Sequence, residues 1–244
     1  MTHSGRELAM TTRPRKVVLY GNGQMATFAQ AVLTYDSPHE VVAFTVDDAL
    51  ITDKTILGLP VVPFEAVERS YPPEDFAAHI AVGFRRVNGV RAEKYCQAKQ
   101  KGYELITYVS SRALKWPDLI IGDNCWILEQ TILHPFVCLG NDVYLGSACH
   151  IGHNSTIGDH SFMAGLAGLA GGVQVGTRCF FGIHCTVRNG ITIADQSVIG
   201  AGATVLRDTR EGGVYVAHQA TLLPTRSDAL AEDFRAGTGI AALD

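Results

Sequence analysis

An apolar residue occupies every sixth position from Ile121 to Val205, without one exception. Four places after each of them the residue is small or apolar, and glycine often follows the apolar residue directly. Two buried positions in every six fit neither an amphipathic helix nor a simple alternating strand. They fit a short strand and a tight turn that repeat, so the period predicts a parallel β-helix of hexapeptide repeats. The series consists of Ile121, Ile127, Leu133, Leu139, Leu145, Ile151, Ile157, Met163, Leu169, Val175, Phe181, Val187, Ile193, Ile199 and Val205.

The repeat fills only the second half of a 244-residue chain whose apolar fraction, 47%, is sufficient for a buried core. We therefore expect two domains, one over 15–110 and the β-helix over 118–220, because Pro117 interrupts the link between them. Residues 221–244 are expected to form a cap and tail, since the open end of a solenoid needs protection against edge pairing.

The charge and the hydropathy of the chain limit its partners. A net charge of −4 and a pI near 6.1 provide no basic surface for nucleic acid or an anionic membrane. The sequence contains no apolar run long enough to span a membrane, and the polar start of the chain lacks the apolar centre of a secretory signal. We expect a soluble, cytoplasmic protein.

The cysteines predict no redox or zinc site. Cys125, Cys149, Cys179 and Cys185 fall at the small inward position of the repeat, where a thiol is a compact apolar filler. There is no Cys-x-x-Cys pair, so we expect reduced, structural thiols.

The first half begins with a strand, a glycine turn and a helix. Lys16–Tyr20 reads as a buried strand, and the spacing G-x-G-x-x-A at Gly21, Asn22, Gly23 and Gln24 opens a helical run through Leu33. Such a turn lets backbone amides at a helix N-terminus approach a phosphate. Asp47 follows a second strand, at about the separation from the glycines at which a carboxylate meets a ribose hydroxyl.

Two further strands, Ile80–Val82 and Tyr103–Val109, with a helix through Lys101 between them, complete a small doubly wound α/β unit. Nucleotides in such sheets bind beyond the carboxyl ends of the strands, where the glycine turn, Asp47 and arginines such as Arg86 would meet. Arg86 is the candidate phosphate ligand. A tight turn without a ligand, solvated arginines, and a nicotinamide site all remain alternatives here.

In a three-sided coil, residues eighteen apart stack in columns, which makes candidate sites testable. His153 shares its column with Pro135, Gly171 and Asn189, so it lies on a turn beneath a glycine, with open space and backbone amides nearby. A neutral imidazole can take a proton from an attacking amine or hydroxyl at neutral pH. His153 is therefore the candidate general base; the alternative is a solvated or interface histidine.

The other histidines form less suggestive columns. His160 stacks with Asp142, Arg178 and Gln196, which predicts a polar ladder on a solvated or intersubunit face. Catalytic zinc on such folds needs three converging histidines, and each column holds one, so no metal is expected within one chain. The glycine-rich segment 163–172 predicts either tight packing or a bare groove for an extended, thin ligand.

Together, the glycine-turn domain, the linker and the segment Ile-Gly-His-Asn-x-x-Ile-Gly at 151–158 resemble the NeuD-like sugar O-acyltransferases, a group that includes N-acetyltransferases of nucleotide-linked 4-amino sugars. The resemblance covers about 16–216. It implies a left-handed β-helix, a homotrimer, acetyl-CoA lying between adjacent subunits, and a nucleotide-sugar held partly by the first domain.

The resemblance also implies roles for single residues. His153 matches the base, and Asn154 stands where relatives often carry a carboxylate, a departure that changes how an imidazolium is stabilised. Gly171 and the Gly182 turn match positions whose amides face the thioester and pantetheine. The Gly21–Gln24 turn would meet the nucleotide and Asp47 the sugar side, whereas 216–220 departs from the family pattern at the far end of the coenzyme.

The expected function is acetylation of the amino group of a nucleotide-linked 4-amino sugar, with acetyl-CoA as donor, in surface glycan biosynthesis. Three alternatives remain on the same fold: a sugar O-acetyltransferase, a metal-dependent enzyme like γ-carbonic anhydrase, and a non-catalytic nucleotide-sugar-binding scaffold.

Overall fold

The computed structural model of the protein describes residues 13–220 and Leu222. Apart from Leu222, the predicted cap and tail over residues 221–244 lies outside the described residues. The chain first forms an α/β unit and then a long solenoid of two-residue strands.

The α/β unit is a five-stranded sheet with two α-helices. Its strands are β1 (Lys16–Tyr20), β2 (Glu40–Val46), β3 (Thr55–Ile56), β4 (Leu59–Pro63) and β5 (Phe76–Ile80), in the spatial order β3-β4-β2-β1-β5. The helices are α1 (Gln24–Asp36) and α2 (Gly89–Gln100), with 3-10 helices at Asp48–Leu50 and Phe64–Arg69. All pairs are parallel except the β3–β4 hairpin.

The solenoid contributes one strand per turn to each of three parallel sheets, named face A, face B and face C in the order in which the chain visits them. Face A contains β6 (Tyr108–Val109), β9 (Trp126–Ile127), β12 (Tyr144–Leu145), β15 (Phe162–Met163), β18 (Phe180–Phe181), β21 (Val198–Ile199) and β23 (Val214–Tyr215). Face B contains β7 (Leu114–Lys115), β10 (Ile132–Leu133), β13 (His150–Ile151), β16 (Gly168–Leu169), β19 (Thr186–Val187) and β22 (Thr204–Val205). Face C contains β8 (Ile120–Ile121), β11 (Cys138–Leu139), β14 (Thr156–Ile157), β17 (Gln174–Val175) and β20 (Thr192–Ile193).

The six-residue period produces this coil for a packing reason. All fifteen residues of the apolar series lie in one buried core that fills the solenoid, together with the four inward cysteines. Each fully buried aliphatic side chain contributes roughly 1.5–3 kcal/mol. A side chain does not fit at Gly152, where a Cβ would lie 2.5 Å from the carbonyl carbon of Ala170 in the next turn. The predicted parallel β-helix is confirmed.

The solenoid begins earlier than predicted. Tyr108–Val109, expected as part of a strand of the α/β unit, pairs with Trp126–Ile127 on face A instead. The earlier part of that predicted strand forms only an isolated parallel bridge to β5, between Leu105 and Ala78. The strand predicted at Ile80–Val82 lies earlier, as β5. Lys115 occupies the position of the repeat that is apolar in later turns, but at this open end of the solenoid it is exposed. Because it is polar, the six-residue apolar series does not extend back to the first turn.

Aromatic side chains on the outside of face A pack against the α/β unit. The Trp126 ring lies 5.5 Å from that of Phe28 on α1, and the Phe180 ring lies 4.7 Å from that of Phe84. Between Trp126 and Phe180 on this face, the Tyr144 and Phe162 rings stack at 4.1 Å. The α/β unit covers these outward residues of face A, which explains why they are apolar.

A buried ion pair fastens α2 to the corner between faces C and A. The Arg91 Nε donates to Asp142 Oδ2 over 3.0 Å, with side chains 3% and 1% exposed. His160 Nδ1 lies 2.8 Å from the same carboxylate, and Asn124 donates to its other oxygen over 2.7 Å. The prediction of a solvated or intersubunit ladder at His160 is wrong, because this column is packed against α2 of the same chain.

Asp36 anchors the unit at the opposite edge of face A. Its carboxylate accepts hydrogen bonds from the Tyr108 hydroxyl, the Ser110 hydroxyl and the Ser111 amide at 2.8–2.9 Å. Desolvation opposes ionisation, but these three donors outweigh it and lower the pKa of Asp36 to about 2. The α/β unit thus spans face A from one corner to the other.

A buried histidine makes stability depend on pH. Burial lowers the pKa of His79 to about 4, against the opposing effects of the Ile106 carbonyl and Asp142; the charges of Arg91 and His39 add to the lowering. The unfolded chain binds a proton near pH 6.5 and the folded chain does not, so stability is complete above that pH and falls as pH drops toward 4.

We expect the His79 share of this loss to be on the order of 3 kcal/mol. The measurement is the urea-unfolding free energy between pH 4 and 7 for the wild type and His79→Gln. Because His39 and His150 shift in the same direction, the variant should flatten the slope without abolishing it. An unchanged slope would contradict the assignment.

Candidate active site

His153 lies on the corner between faces B and C, in the column of Pro135, Gly171 and Asn189. Its Nδ1 is 2.9 Å from Oδ1 of Asn154. Since that oxygen only accepts, Nδ1 carries the proton and Nε2 presents a free lone pair. Asn154 has a left-handed backbone, φ 58°, which folds its side chain back beside the ring. The pair presents an exposed, tautomerically fixed base.

Gln174 supports this turn and was not identified from the sequence. Its amide nitrogen donates to the Asn154 carbonyl over 3.3 Å, while the Thr156 hydroxyl donates to its amide oxygen over 2.6 Å. Gln174 stands eighteen residues after Thr156, so the column rule contained the signal.

Gly171 leaves the room that the imidazole occupies. A Cβ there would lie 2.6 Å from His153 Nε2 and 2.7 Å from Cε1. The predicted bare-backbone position above the histidine is therefore present, and it is needed for the observed orientation of the ring.

Gly171→Ala should lower kcat by about 10²-fold, because the new methyl group must displace the base and misplacement by about 1 Å has such a cost. Gly168→Ala is the matched control, since its methyl group meets only Thr186 Cγ2 at 3.7 Å. The kcat values of both variants, with far-UV dichroism as a check of folding, test this. Equal activities would contradict the proposed tight contact.

The Gly171 amide can act as a hydrogen-bond donor. At the corner between faces C and A, the amides in the same repeat position donate to side-chain oxygens eighteen residues later, from Asn141 to Asp159 and from Thr177 to Asp195, each over 2.7 Å. The backbone N–H at this position of the repeat therefore points outward, where an oxygen atom can accept its hydrogen bond. Within residues 13–220, the Gly171 N–H has no such acceptor.

Gly182 lies elsewhere in the solenoid. It precedes the corner between faces A and B, its N–H donates to Ile199 O over 2.7 Å, and a Cβ there would collide with Ala201 N. The Gly182 amide is therefore used within the coil and does not face His153 of its own chain. The sequence resemblance did not reveal that the Gly182 amide is bonded to Ile199 O.

The glycine turn of the α/β unit has the predicted form. Gly21 has φ 135° and a Cβ there would lie 2.7 Å from Ala81 O, so the turn requires glycine. Gly23 faces open space at the start of α1, where Gln24 is the first residue. The Asn22 side chain donates to Leu50 O over 2.9 Å and holds the turn against the following 3-10 helix.

Asp47 lies near this turn but is already paired. It accepts from Lys94 Nζ over 2.7 Å and from the Tyr20 hydroxyl over 3.0 Å. It lines a cleft of about 590 Å³ with Phe64, Lys94 and Lys101, among others. Lys94, on α2, is a candidate ligand that sequence reasoning missed, because only the fold brings it to the end of β2.

The arginines that follow β5 differ in their exposure and in their partners. Arg86 is exposed and contacts Glu93 at 3.3 Å, which leaves it accessible. Arg91 is instead buried with Asp142, and the Asn88 side chain donates to Cys179 O over 2.9 Å. Its burial with Asp142 leaves Arg91 inaccessible to a phosphate, whereas Arg86 stays a candidate.

The structure thus places the predicted residues in two groups. The Gly21–Gln24 turn, Asp47 and Arg86 belong to the α/β unit, which covers face A. His153, Asn154 and Gly171 lie on the corner between faces B and C, which is the corner opposite face A. Among the described residues, no three His, Cys, Asp or Glu side chains converge as a metal-binding group.

None of the helices in residues 13–220 is long and apolar enough to cross a membrane.

The chain carries the hexapeptide repeat of the left-handed β-helix class. A family model described as "Hexapeptide repeat of succinyl-transferase" matches residues 172–207. This match confirms the hexapeptide-repeat part of the predicted resemblance, and solved structures that cover most of this chain confirm the predicted fold class.

One such structure is a point mutant of perosamine N-acetyltransferase from Caulobacter crescentus in complex with CoA and GDP-perosamine, with a TM-score of 0.75 and 23% identity over 86% of this chain and 97% of that one. Another is the acetyltransferase domain of PglB from Neisseria gonorrhoeae, with a TM-score of 0.73 and 22% identity over 86% of this chain and 100% of that one. At these identities the likeness shows the fold.

A curated relative of similar sequence is UDP-3-O-acylglucosamine N-acyltransferase from Janthinobacterium sp. strain Marseille, which is 33% identical over 153 residues, 59% of this chain and 42% of the relative. The corresponding enzyme of Herminiimonas arsenicoxydans is 30% identical over 158 residues, 62% of this chain and 43% of the relative. The chain spans about two fifths of the length of these relatives.

Proposed function

We propose that the protein transfers an acetyl group from acetyl-CoA to the amino group of a nucleotide-linked 4-amino sugar, as a step in surface glycan biosynthesis. The observation that carries the proposal is the His153–Asn154 pair beneath Gly171, where a base with a free lone pair adjoins a backbone N–H that has no acceptor within residues 13–220. The named activities of proteins with this fold support the same class of reaction.

The chemistry needs one base and one oxyanion donor. The acceptor amine attacks the thioester carbonyl carbon, and His153 Nε2 takes the proton that the nitrogen loses. The Gly171 N–H stabilises the negative charge on the carbonyl oxygen; one such donor is worth about 2.7–4 kcal/mol where measured. The C–S bond then breaks, and the imidazolium returns its proton to the thiolate.

Asn154 sets the tautomer without supplying charge. Its Oδ1 holds the proton on Nδ1, so Nε2 is always the reactive nitrogen. A carboxylate there would favour the protonated ring. Asn154→Asp should therefore move the acidic limb of the pH–rate profile to higher pH, while wild-type turnover extends further into acid.

The α/β unit is proposed to hold the nucleotide-sugar. The Gly21–Gln24 turn offers the amides at the start of α1 to a phosphate, Arg86 is accessible to the same anion, and Asp47 faces the adjoining cleft. GDP-perosamine bound to the Caulobacter enzyme is consistent with this class of acceptor.

The geometry favours a site assembled between copies. The α/β unit spans face A between its two corners, at Asp142 and at Ser110, whereas His153 lies on the third corner. A sugar held by the α/β unit is therefore turned away from His153 of its own chain. A closed ring of subunits brings one chain's acceptor to another chain's base, so we propose a homotrimer with acetyl-CoA between neighbours.

The test combines binding with turnover. UDP-, dTDP-, GDP- and CMP-linked 4-amino sugars are screened by thermal shift with and without acetyl-CoA, and active pairs are assayed for CoA release. At ligand concentrations about 100-fold above Kd, binding stabilises by about 2.7 kcal/mol, a clear shift. A response to nucleotides but never to coenzyme A would favour a non-catalytic scaffold, and acetylation at a hydroxyl would favour O-acetyl transfer.

A further inference from the structure

A small cavity lies between the α/β unit and face A of the solenoid. Its volume is about 10 Å³, and its lining includes His79, Arg91, Trp126 and Asp142. This space accommodates one water molecule and nothing larger. It shares no lining residue with the cleft at Asp47, and His153 does not line it.

Two buried donors on its wall have no partner among the described residues. Arg91, 3% exposed, uses Nε for Asp142 and Nη2 for the carbonyl oxygens of Asp142, His160 and Ser161, but its Nη1 donates to nothing. Trp126, 4% exposed, likewise leaves its Nε1–H without an acceptor. Buried donors are almost always satisfied by protein or by an ordered water.

The same wall provides a fixed acceptor. His79 Nδ1 lies 3.0 Å from the Ile106 carbonyl oxygen, which can only accept, so the ring proton is on Nδ1. Burial lowers the pKa of His79 and keeps the ring neutral near pH 7. Its Nε2 is therefore an unprotonated acceptor in the same lining.

We propose that this cavity binds one ordered water molecule, which accepts hydrogen bonds from Arg91 Nη1 and Trp126 Nε1 and donates one to His79 Nε2. Two donors and one acceptor match the hydrogen-bonding capacity of water. A cation would face two donors, and an anion would adjoin the Asp142 carboxylate, so neither alternative fits. The water joins β5, α2 and face A and is thus a structural part of the interface.

The test uses the full-length, isotope-labelled protein in water. The chain contains two tryptophans, Trp116 and Trp126, so two indole N–H resonances are expected, and Trp116→Phe assigns them without touching the cavity. A bound water held longer than molecular tumbling gives the Trp126 Nε1–H a cross-peak to water whose sign differs between laboratory-frame and rotating-frame experiments. Chemical exchange with bulk water gives the same sign in both.

We expect the opposite-sign cross-peak at Trp126 in the wild type and in Trp116→Phe, and an electron-density peak within hydrogen-bond distance of all three nitrogens in a high-resolution crystal structure. An observable Trp126 indole resonance without that cross-peak would overturn the proposal. So would a crystal structure in which the cavity has closed and Arg91 Nη1 and Trp126 Nε1 bond to protein atoms.

Discussion

His153→Ala should lower kcat by a factor of about 10²–10⁴, the usual contribution of a positioned general base. The loss follows from the geometry of the corner: His153 Nε2 is the unprotonated nitrogen, and no other imidazole shares its column. Steady-state kcat and KM with acetyl-CoA and the acceptor identified by screening are the measurement.

His184→Ala is the matched control for that variant. His184 is also an exposed histidine on a corner of the solenoid, but that corner joins faces A and B. We expect a kcat close to that of the wild type from it, with any loss confined to KM for acetyl-CoA because His184 belongs to the Gly182 turn, and an unchanged melting temperature for both variants. If His153→Ala retained full turnover with the best acceptor, His153 would have no part in proton transfer.

Asp142→Ala should destabilise the protein by about 3–5 kcal/mol, the cost of stranding a buried charge. The substitution leaves Arg91 without its counter-ion and removes the acceptor of His160 Nδ1 and Asn124 Nδ2. Asp142→Asn keeps an acceptor but removes the charge, so an intermediate loss is expected. Urea-unfolding midpoints measure both effects.

Lys99→Ala provides the comparison on the same helix. Lys99 pairs with Asp123 over 2.7 Å, two turns beyond Arg91, but the two side chains are 44% and 30% exposed. Solvent-screened pairs of this kind contribute about 0.2–1 kcal/mol. Equal losses for Asp142→Ala and Lys99→Ala would show that burial of the Arg91 pair does not determine its importance.

The solenoid was predictable because its instructions are local and periodic. Each hexad places two small or apolar residues inward, so the strands at Ile121 and beyond could be predicted without knowledge of distant contacts. The same periodicity fixed His153 beneath Gly171, since a displacement of eighteen residues always returns to the same corner. Gly182 follows His153 by twenty-nine residues, which is not a multiple of eighteen, so it lies on another corner.

The contacts between the two units were not predictable in this way. Arg91 and Asp142 are fifty-one residues apart, and no local pattern says which side of α2 meets which face of the coil. The polar column of Asp142, His160, Arg178 and Gln196 was visible, but a column of polar residues is as typical of a solvated face as of a buried partner. The aromatic residues on the outside of face A were the stronger indication that something covers it.

The glycine turn shows the limit of a motif. Gly21 has the backbone conformation that the spacing predicts, yet Asp47 is held by Lys94 and Tyr20, partners that the motif does not contain. The roles of Gly21–Gln24, Asp47 and Arg86 in binding a nucleotide-sugar stay predictions.

The central claim is that His153 of one chain acts on a sugar held by the α/β unit of another, and subunit mixing tests it most directly. His153→Ala lacks the base, and Gly23→Phe fills the open space at the glycine turn, where a Cβ meets nothing within 4 Å. After co-refolding at equal amounts, a ring with sites between subunits should recover about a quarter of wild-type kcat, because one site in four combines both intact halves. Mixed oligomers that form but stay as inactive as their parents would contradict the claim.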